Sequence, residues 1–266
     1  MNDTDIYDLS ALTHAQGSVL TGGRTFPGYT CGSSSSNLTY GVIMGGINQP
    51  NTITATLSRF NNSGTPLYTG SLPFPRATGV CATFFSSANQ AWFSAYFGGD
   101  DGNGTHYNDV VIYYPANGSV LIATTPLSVP RSYSSATVTE DGRYVLVIGG
   151  NNQAGASPAV DVLNTDTLLI ERSFNLSSAK NFHSSAALGP YVYVAGGSNV
   201  TVYVIDTRDW TVFPSDPLPG SSSYNTGVSV PEIGVWFAGG SIPNISFYSC
   251  GNSVLPLSFC PFSFQF

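Results

Sequence analysis

Three histidines, His14, His106 and His183, are the only ones available for general acid–base work, and they lie far apart in the chain. A serine–histidine–carboxylate triad needs one of them beside a nucleophile, and the sequence contains no Gly-x-Ser-x-Gly elbow. His183 follows Lys180 and Asn181 at the head of a small-residue stretch, where a structural role is expected. Arg24, Arg76 and Arg131 recur singly ahead of similar stretches. Converging, they could grip a carboxylate, but hydrogen bonds to neighbouring loops are the expected use. Asp100-Asp101-Gly102-Asn103-Gly104-Thr105 has calcium-loop chemistry without the Glu that closes such a loop. Neither a phosphate-cradling loop nor a dinucleotide fingerprint occurs. The residues therefore point away from an enzyme and imply neither a metal nor another cofactor.

Bulk chemistry narrows the partners. Only 9% of the 266 residues are charged, against about 25% in an ordinary soluble domain. The net charge is −7, and Lys180 is the only lysine among eight scattered basic residues. A phosphate backbone requires clustered cations, so nucleic acid is excluded as a partner. No apolar run reaches the roughly 18 residues needed to span a bilayer as a helix, so membrane insertion is not expected.

Two residue classes indicate the compartment. Eight Asn-x-Ser/Thr acceptors occur, at Asn2, Asn37, Asn61, Asn103, Asn117, Asn175, Asn199 and Asn244, about twice the number chance would place. The four cysteines, Cys31, Cys81, Cys250 and Cys260, lack metal-site spacing. Cys250 with Cys260 and Cys31 with Cys81 are the expected disulfides, which implies an oxidising compartment. Met1 to Asp5 is polar and acidic, unlike a secretory leader. The expectation is a secreted or cell-surface glycoprotein whose leader is not part of this sequence.

The elements that would position these residues are repeated. An apolar run ends in a Gly-Gly doublet at 45–46, 98–99, 149–150, 196–197 and 239–240, at intervals of 53, 51, 47 and 43 residues. Upstream of most doublets lie a basic residue and a small-residue stretch, such as Ser184-Ser185-Ala186-Ala187-Leu188. Downstream come two further apolar stretches separated by turn residues, as in Val202–Ile205 and Trp210–Phe213. Asn103, Asn199 and Asn244 fall in loops after doublets, Asn175 in a connection between repeats, and Asn37, Asn61 and Asn117 in other loops. No segment of ten residues has helical periodicity. The reading is all-β, with four antiparallel strands per repeat.

This pattern resembles the kelch repeat, through the apolar run and Gly-Gly and, most clearly, through Tyr203 and Trp210 after Gly196-Gly197; Tyr113 fits after Gly98-Gly99 more loosely. The resemblance implies a β-propeller of four-stranded blades in a single domain of residues 1–266. Five blades are expected, with six as the alternative, and such rings are typically interaction scaffolds. Strands near residues 5–12 and 254–266 are expected to close the ring or reach another subunit. Phe262, Phe264 and Phe266 alternate with polar residues, giving a one-faced strand that needs a partner. Trp92, Trp210 and Trp236 read as strand residues. The expected function is a non-enzymatic extracellular structural or adhesive unit, partnered by itself or by other extracellular proteins or glycans. A lectin-like or protein-binding module is the alternative.

Overall fold

The computed structural model describes residues 5–8, 13–16, 24–25, 28–30, 34–35, 38–48, 51–61, 65–230, 233–241 and 245–248, with side chains from residue 40 to residue 241 within these ranges. Every regular element among them is a β-strand, and all strand pairings are antiparallel. None of the described residues forms a helix long and apolar enough to cross a membrane.

The chain divides into two compact units, Met1–Ser132 and Tyr133–Phe266. In the first unit, the strands Gly28–Thr30, Leu38–Met44, Thr56–Asn61 and Pro66–Ser71 pair in sequence order. A second sheet runs Val80–Ser86, Ala91–Phe97, Val110–Tyr114, Ser119–Ile122. In the second unit, the third sheet runs Ser135–Val138, Tyr144–Ile148, Gly155–Asn164, Ile170–Lys180. The fourth runs His183–Leu188, Tyr191–Gly196, Val202–Asp206, Val212–Ser215. The fifth has three described strands, Thr226–Val230, Gly234–Ala238 and Ile245–Tyr248.

Strand position decides composition. The second strands, such as Tyr144–Ile148, are buried on both faces and accordingly read as unbroken apolar runs. Last strands such as Ser119–Ile122 are largely exposed. Apolar clusters fill the space between successive sheets: Leu146, Ile148, Val160 and Val162 of the third meet Val192, Val194, Tyr203 and Ile205 of the fourth. The first strands of the third, fourth and fifth sheets lie beside one another, which explains their Ser, Ala and Gly. Each doublet follows the second strand with positive φ at both glycines, 57° and 106° at Gly149-Gly150. A Cβ on Gly149 would sit 2.4 Å from the Lys180 carbonyl oxygen, so both the conformation and the close approach demand glycine.

Asp5–Asp8 pairs with Thr13–Gln16 in a separate two-stranded sheet; a local hairpin costs little loop-closure entropy. Arg24 lies in a short strand paired with Ile47–Asn48. The expected C-terminal strand with Phe262, Phe264 and Phe266 lies outside the described residues.

Candidate functional site

At two repeats the basic residue ahead of the sheet's first strand clasps two doublets. The Arg76 carbonyl accepts the Gly46 N–H at 2.8 Å, while its Nη1 donates to the Gly98 carbonyl at 3.2 Å. Lys180 does the same one unit later: its carbonyl accepts the Gly150 N–H at 2.7 Å, and its Nζ donates to the Gly196 carbonyl at 2.9 Å. In the fifth repeat Ser222 stands in this place, accepting from Gly197 N at 2.7 Å and donating its hydroxyl to the Gly239 carbonyl at 2.8 Å. Arg76 is further held by a two-pronged pair with Asp109, at 2.6 and 2.9 Å. Lys180 Nζ instead reaches Asn199 Oδ1 at 2.8 Å. Arg76, Arg131 and Lys180 are all buried. Burial pulls the Lys180 pKa down to about 8. Arg76 and Lys180 thus each hold the backbone carbonyl of a doublet.

His183 has a nucleophile's neighbour without a nucleophile's chemistry. Its Nε2 lies 3.0 Å from Ser135 Oγ, Ser185 Oγ donates to Ser135 Oγ at 2.8 Å, and Thr137 Oγ1 lies 2.5 Å from Ser185 Oγ. A Ser–His contact is half of an activated pair. Burial first, and the Lys180 charge second, pull the His183 pKa down to about 3. A base that weak is poorly matched to proton transfer near neutrality. The neutral imidazole instead joins the first strands of the third and fourth sheets. His106 Nδ1 lies 3.1 Å from Ser132 Oγ.

Two residues after Arg76, Arg131, Lys180 and Ser222 the chain turns through the left-handed region. Thr78, Tyr133, Phe182 and Tyr224 have φ of 58°, 54°, 54° and 63°. Such a conformation costs a residue with a Cβ roughly 1–2 kcal/mol, and Gly or Asn would be the cheap choice. In the second unit all three are aromatic. Phe182 N donates to the Tyr133 carbonyl at 3.3 Å and Tyr224 N to the Phe182 carbonyl at 2.8 Å. Their ring centroids follow at 4.5 and 4.8 Å, contacts worth about 0.5–1.5 kcal/mol each. The ladder ends in Tyr224, which is 59% exposed. The sequence signal was an aromatic two residues after the basic position. It was missed because the repeat was read through its glycines.

The remaining expected site residues divide. Asn103 and Asn117 are exposed in loops. Asn175 is exposed on the Ile170–Lys180 strand rather than in a connection, because pairing continues to Ser157↔Lys180. Asn61 ends its strand and accepts the Thr65 N–H at 2.8 Å. Asn199 is engaged at both ends, its Oδ1 by Lys180 and its Nδ2 donating to the Ala179 carbonyl at 3.2 Å. Asn2, Asn37 and Asn244 lie outside the described residues.

Of the expected Cys31–Cys81 pair, only Cys81 lies among the described residues. Cys81 is a free buried thiol, its pKa raised by burial. It serves as a small apolar filler among Tyr40, Val42, Tyr96 and Val111. Cys31, Cys250 and Cys260 lie outside the described residues. Asp101 Oδ1 accepts the Asn103 and Thr105 N–H groups at 2.8 and 3.0 Å, which holds that carboxyl below its usual pKa. The acidic loop thus satisfies itself, and no metal-binding cluster of His, Cys, Asp and Glu occurs among the described residues. Trp92 and Trp236 are strand residues, but Trp210 lies in a turn at φ 66°. Val111, opposite Tyr96, occupies the place that Tyr203 holds opposite Val194. Tyr113 sits two positions further along.

No family model matches the sequence, and no curated protein matches it. Among solved structures the chain is similar to that titled "Structure of YjhT", with a TM-score of 0.70 at 12% identity, over 91% of this chain and 86% of the other. At that identity the likeness is one of fold alone, and it supports a propeller-like arrangement of the antiparallel sheets.

Proposed function

We propose that the protein is a kelch-like propeller of five blades acting as a non-enzymatic extracellular structural or adhesive module, N-glycosylated at its exposed acceptors. Five doublet-bearing sheets support the blade number. Arg76, Lys180 and His183, the residues best suited to chemistry, are buried in contacts between repeats. Exposed Asn103, Asn117 and Asn175 are sterically open to glycans.

One observation carries the adhesive reading. Three aromatics are held in an unfavourable backbone conformation at one repeat position, and the last is exposed. Aromatic rings offer large contact area at low entropic cost, which suits adhesion. The partner is a second copy or another extracellular protein or glycan. Light scattering on the full chain, secreted from a eukaryotic host, tests this. The expected result is species heavier than one 28.0 kDa chain plus glycan, reduced by Tyr224→Gly or by deletion of Phe262–Phe266. A monomer whose behaviour neither change affects would overturn self-assembly.

A further inference from the structure

At the opposite ends of the strands from the doublets, three tight turns of the second unit line an open cavity of about 510 Å³. They are the Thr139–Arg143 turn of the third sheet and the Gly189-Pro190 and Thr207–Trp210 turns of the fourth. None of the clasp, histidine or ladder residues described above lines it.

Its walls are fixed before any ligand arrives. Trp210 is held at φ 66°, its N–H bonded to the Asp206 carbonyl at 2.7 Å. Its indole meets Tyr144 edge-on at 5.1 Å and the Arg172 guanidinium at 5.6 Å. Arg208 is clamped by both Asp206 oxygens, at 2.9 and 2.6 Å, and by the Tyr191 hydroxyl at 2.8 Å. One Glu140 oxygen accepts the Gly189 N–H, and Asp141 Oδ1 accepts Thr139 Oγ1 at 2.6 Å and the Arg143 N–H at 3.1 Å. The second oxygens of Glu140 and Asp141 keep acceptor capacity. The Arg143 guanidinium lies 5.5 Å from the Tyr144 ring centre, without a carboxylate partner among the described residues.

A rigid indole beside planar, pre-oriented hydrogen-bonding groups matches a pyranose ring, whose C–H face packs on an aromatic while neighbouring hydroxyls bridge carboxylate and guanidinium. Charge separates the sugar classes. Arg208 is already neutralised by Asp206, so among the lining residues two carboxylates stand against one arginine without a carboxylate partner, Arg143, which disfavours an anionic sugar; Arg172, over the indole, does not line the cavity. We infer that the cavity walled by Trp210, Tyr144, Glu140, Asp141, Arg143 and Arg208 binds neutral saccharides. This goes beyond the adhesive reading and does not depend on self-association.

The test is saturation-transfer NMR and titration of the full chain with the methyl pyranosides of glucose, galactose and mannose, and with glucuronic acid. Enzymatically deglycosylated protein serves in parallel, so that the protein's own glycans cannot occupy the cavity. At least one neutral sugar should bind, and Trp210→Phe and Asp141→Asn should each weaken it roughly tenfold or more, as expected on losing an anchoring contact. Leu121→Ala, on an exposed last strand of the first unit, should leave that binding unchanged. Failure of every neutral sugar at tens of millimolar would overturn the inference. So would binding that ignores the Trp210 and Asp141 variants while both remain folded by circular dichroism, or preference for glucuronic acid.

Discussion

The clasp at Arg76 in the first unit and the clasp at Lys180 in the second solve one problem with different chemistry. Each joins the doublet of its own sheet to that of the preceding sheet. Arg76 does so with a carboxylate partner, Asp109, and is followed by Thr78 in the left-handed turn. Lys180 has only a neutral partner, Asn199, and is followed by Phe182. The difference separates what the repeat requires from what it allows. A donor long enough to reach the next doublet and a turn through positive φ are required. A buried ion pair and an aromatic ring are not, so the ladder of the second unit calls for its own explanation.

Breaking the ion-paired clasp should have the largest effect. Arg76→Met leaves Asp109 without its partner and the Gly98 carbonyl without that donor. Removing one member of a buried pair costs about 3–5 kcal/mol, and Asp109, 20% exposed, recovers some of this from water. Chemical denaturation should show a loss near the lower end of that range.

Lys180→Met should cost less, about 1–3 kcal/mol for the unsatisfied Gly196 and Asn199 oxygens. It also has a signature in pH. The Lys180 pKa is about 8 in the folded state against 10.5 for the free side chain. Between those values the unfolded chain binds more protons, so stability rises with pH through that window. The variant should lose this rise, and a wild-type slope that persisted in Lys180→Met would assign it to another group.

His183 sharpens the comparison at acid pH. The fifth repeat carries Asn225 at the corresponding position, donating to the Ala195 carbonyl at 3.3 Å, so His183→Asn borrows the protein's own alternative. The folded pKa of about 3 lies below the free value of 6.5. Stability is therefore fully present above pH 6.5 and falls as pH drops toward 3. Melting temperatures from pH 7 to pH 4 should decline less steeply in His183→Asn than in the wild-type protein.

How much of this was legible follows from which residues report on the backbone. Gly-Gly doublets and apolar runs marked the sheets because no other residue fits a positive φ against the next repeat's carbonyl. The structural use of Arg76 and His183 was likewise legible, since single basic residues at one repeat position suit loop contacts. The ladder was not, because Tyr and Phe carry no local signal for a left-handed turn that tertiary contacts impose. Asn175 was misplaced for a similar reason: bulged pairing carries its strand past an apparent turn. The packing of Cys81 among Tyr40, Val42, Tyr96 and Val111 was not legible either, because counting cysteines says nothing of the apolar neighbours around one.

The smallest effect on stability is the most informative about function. Tyr224 occupies the left-handed region at φ 63°, so Tyr224→Gly removes the backbone cost while giving up one ring contact to Phe182. The gain, roughly 1–2 kcal/mol from relieved strain, is offset by about 0.5–1.5 kcal/mol of lost ring contact and by the greater chain entropy of glycine when unfolded. The melting temperature should therefore stay near the wild-type value. If the exposed ring is there for adhesion, association should fall in the same variant, so that fold and function separate at one residue. Thr78→Gly, made at the equivalent turn of the first unit, also gives up the hydroxyl's hydrogen bonds to Asp100 and the Ala77 carbonyl, so it should lower stability and leave association untouched. Equal effects of the two variants on association would place the adhesive surface away from the ladder and leave its strain explained by packing alone.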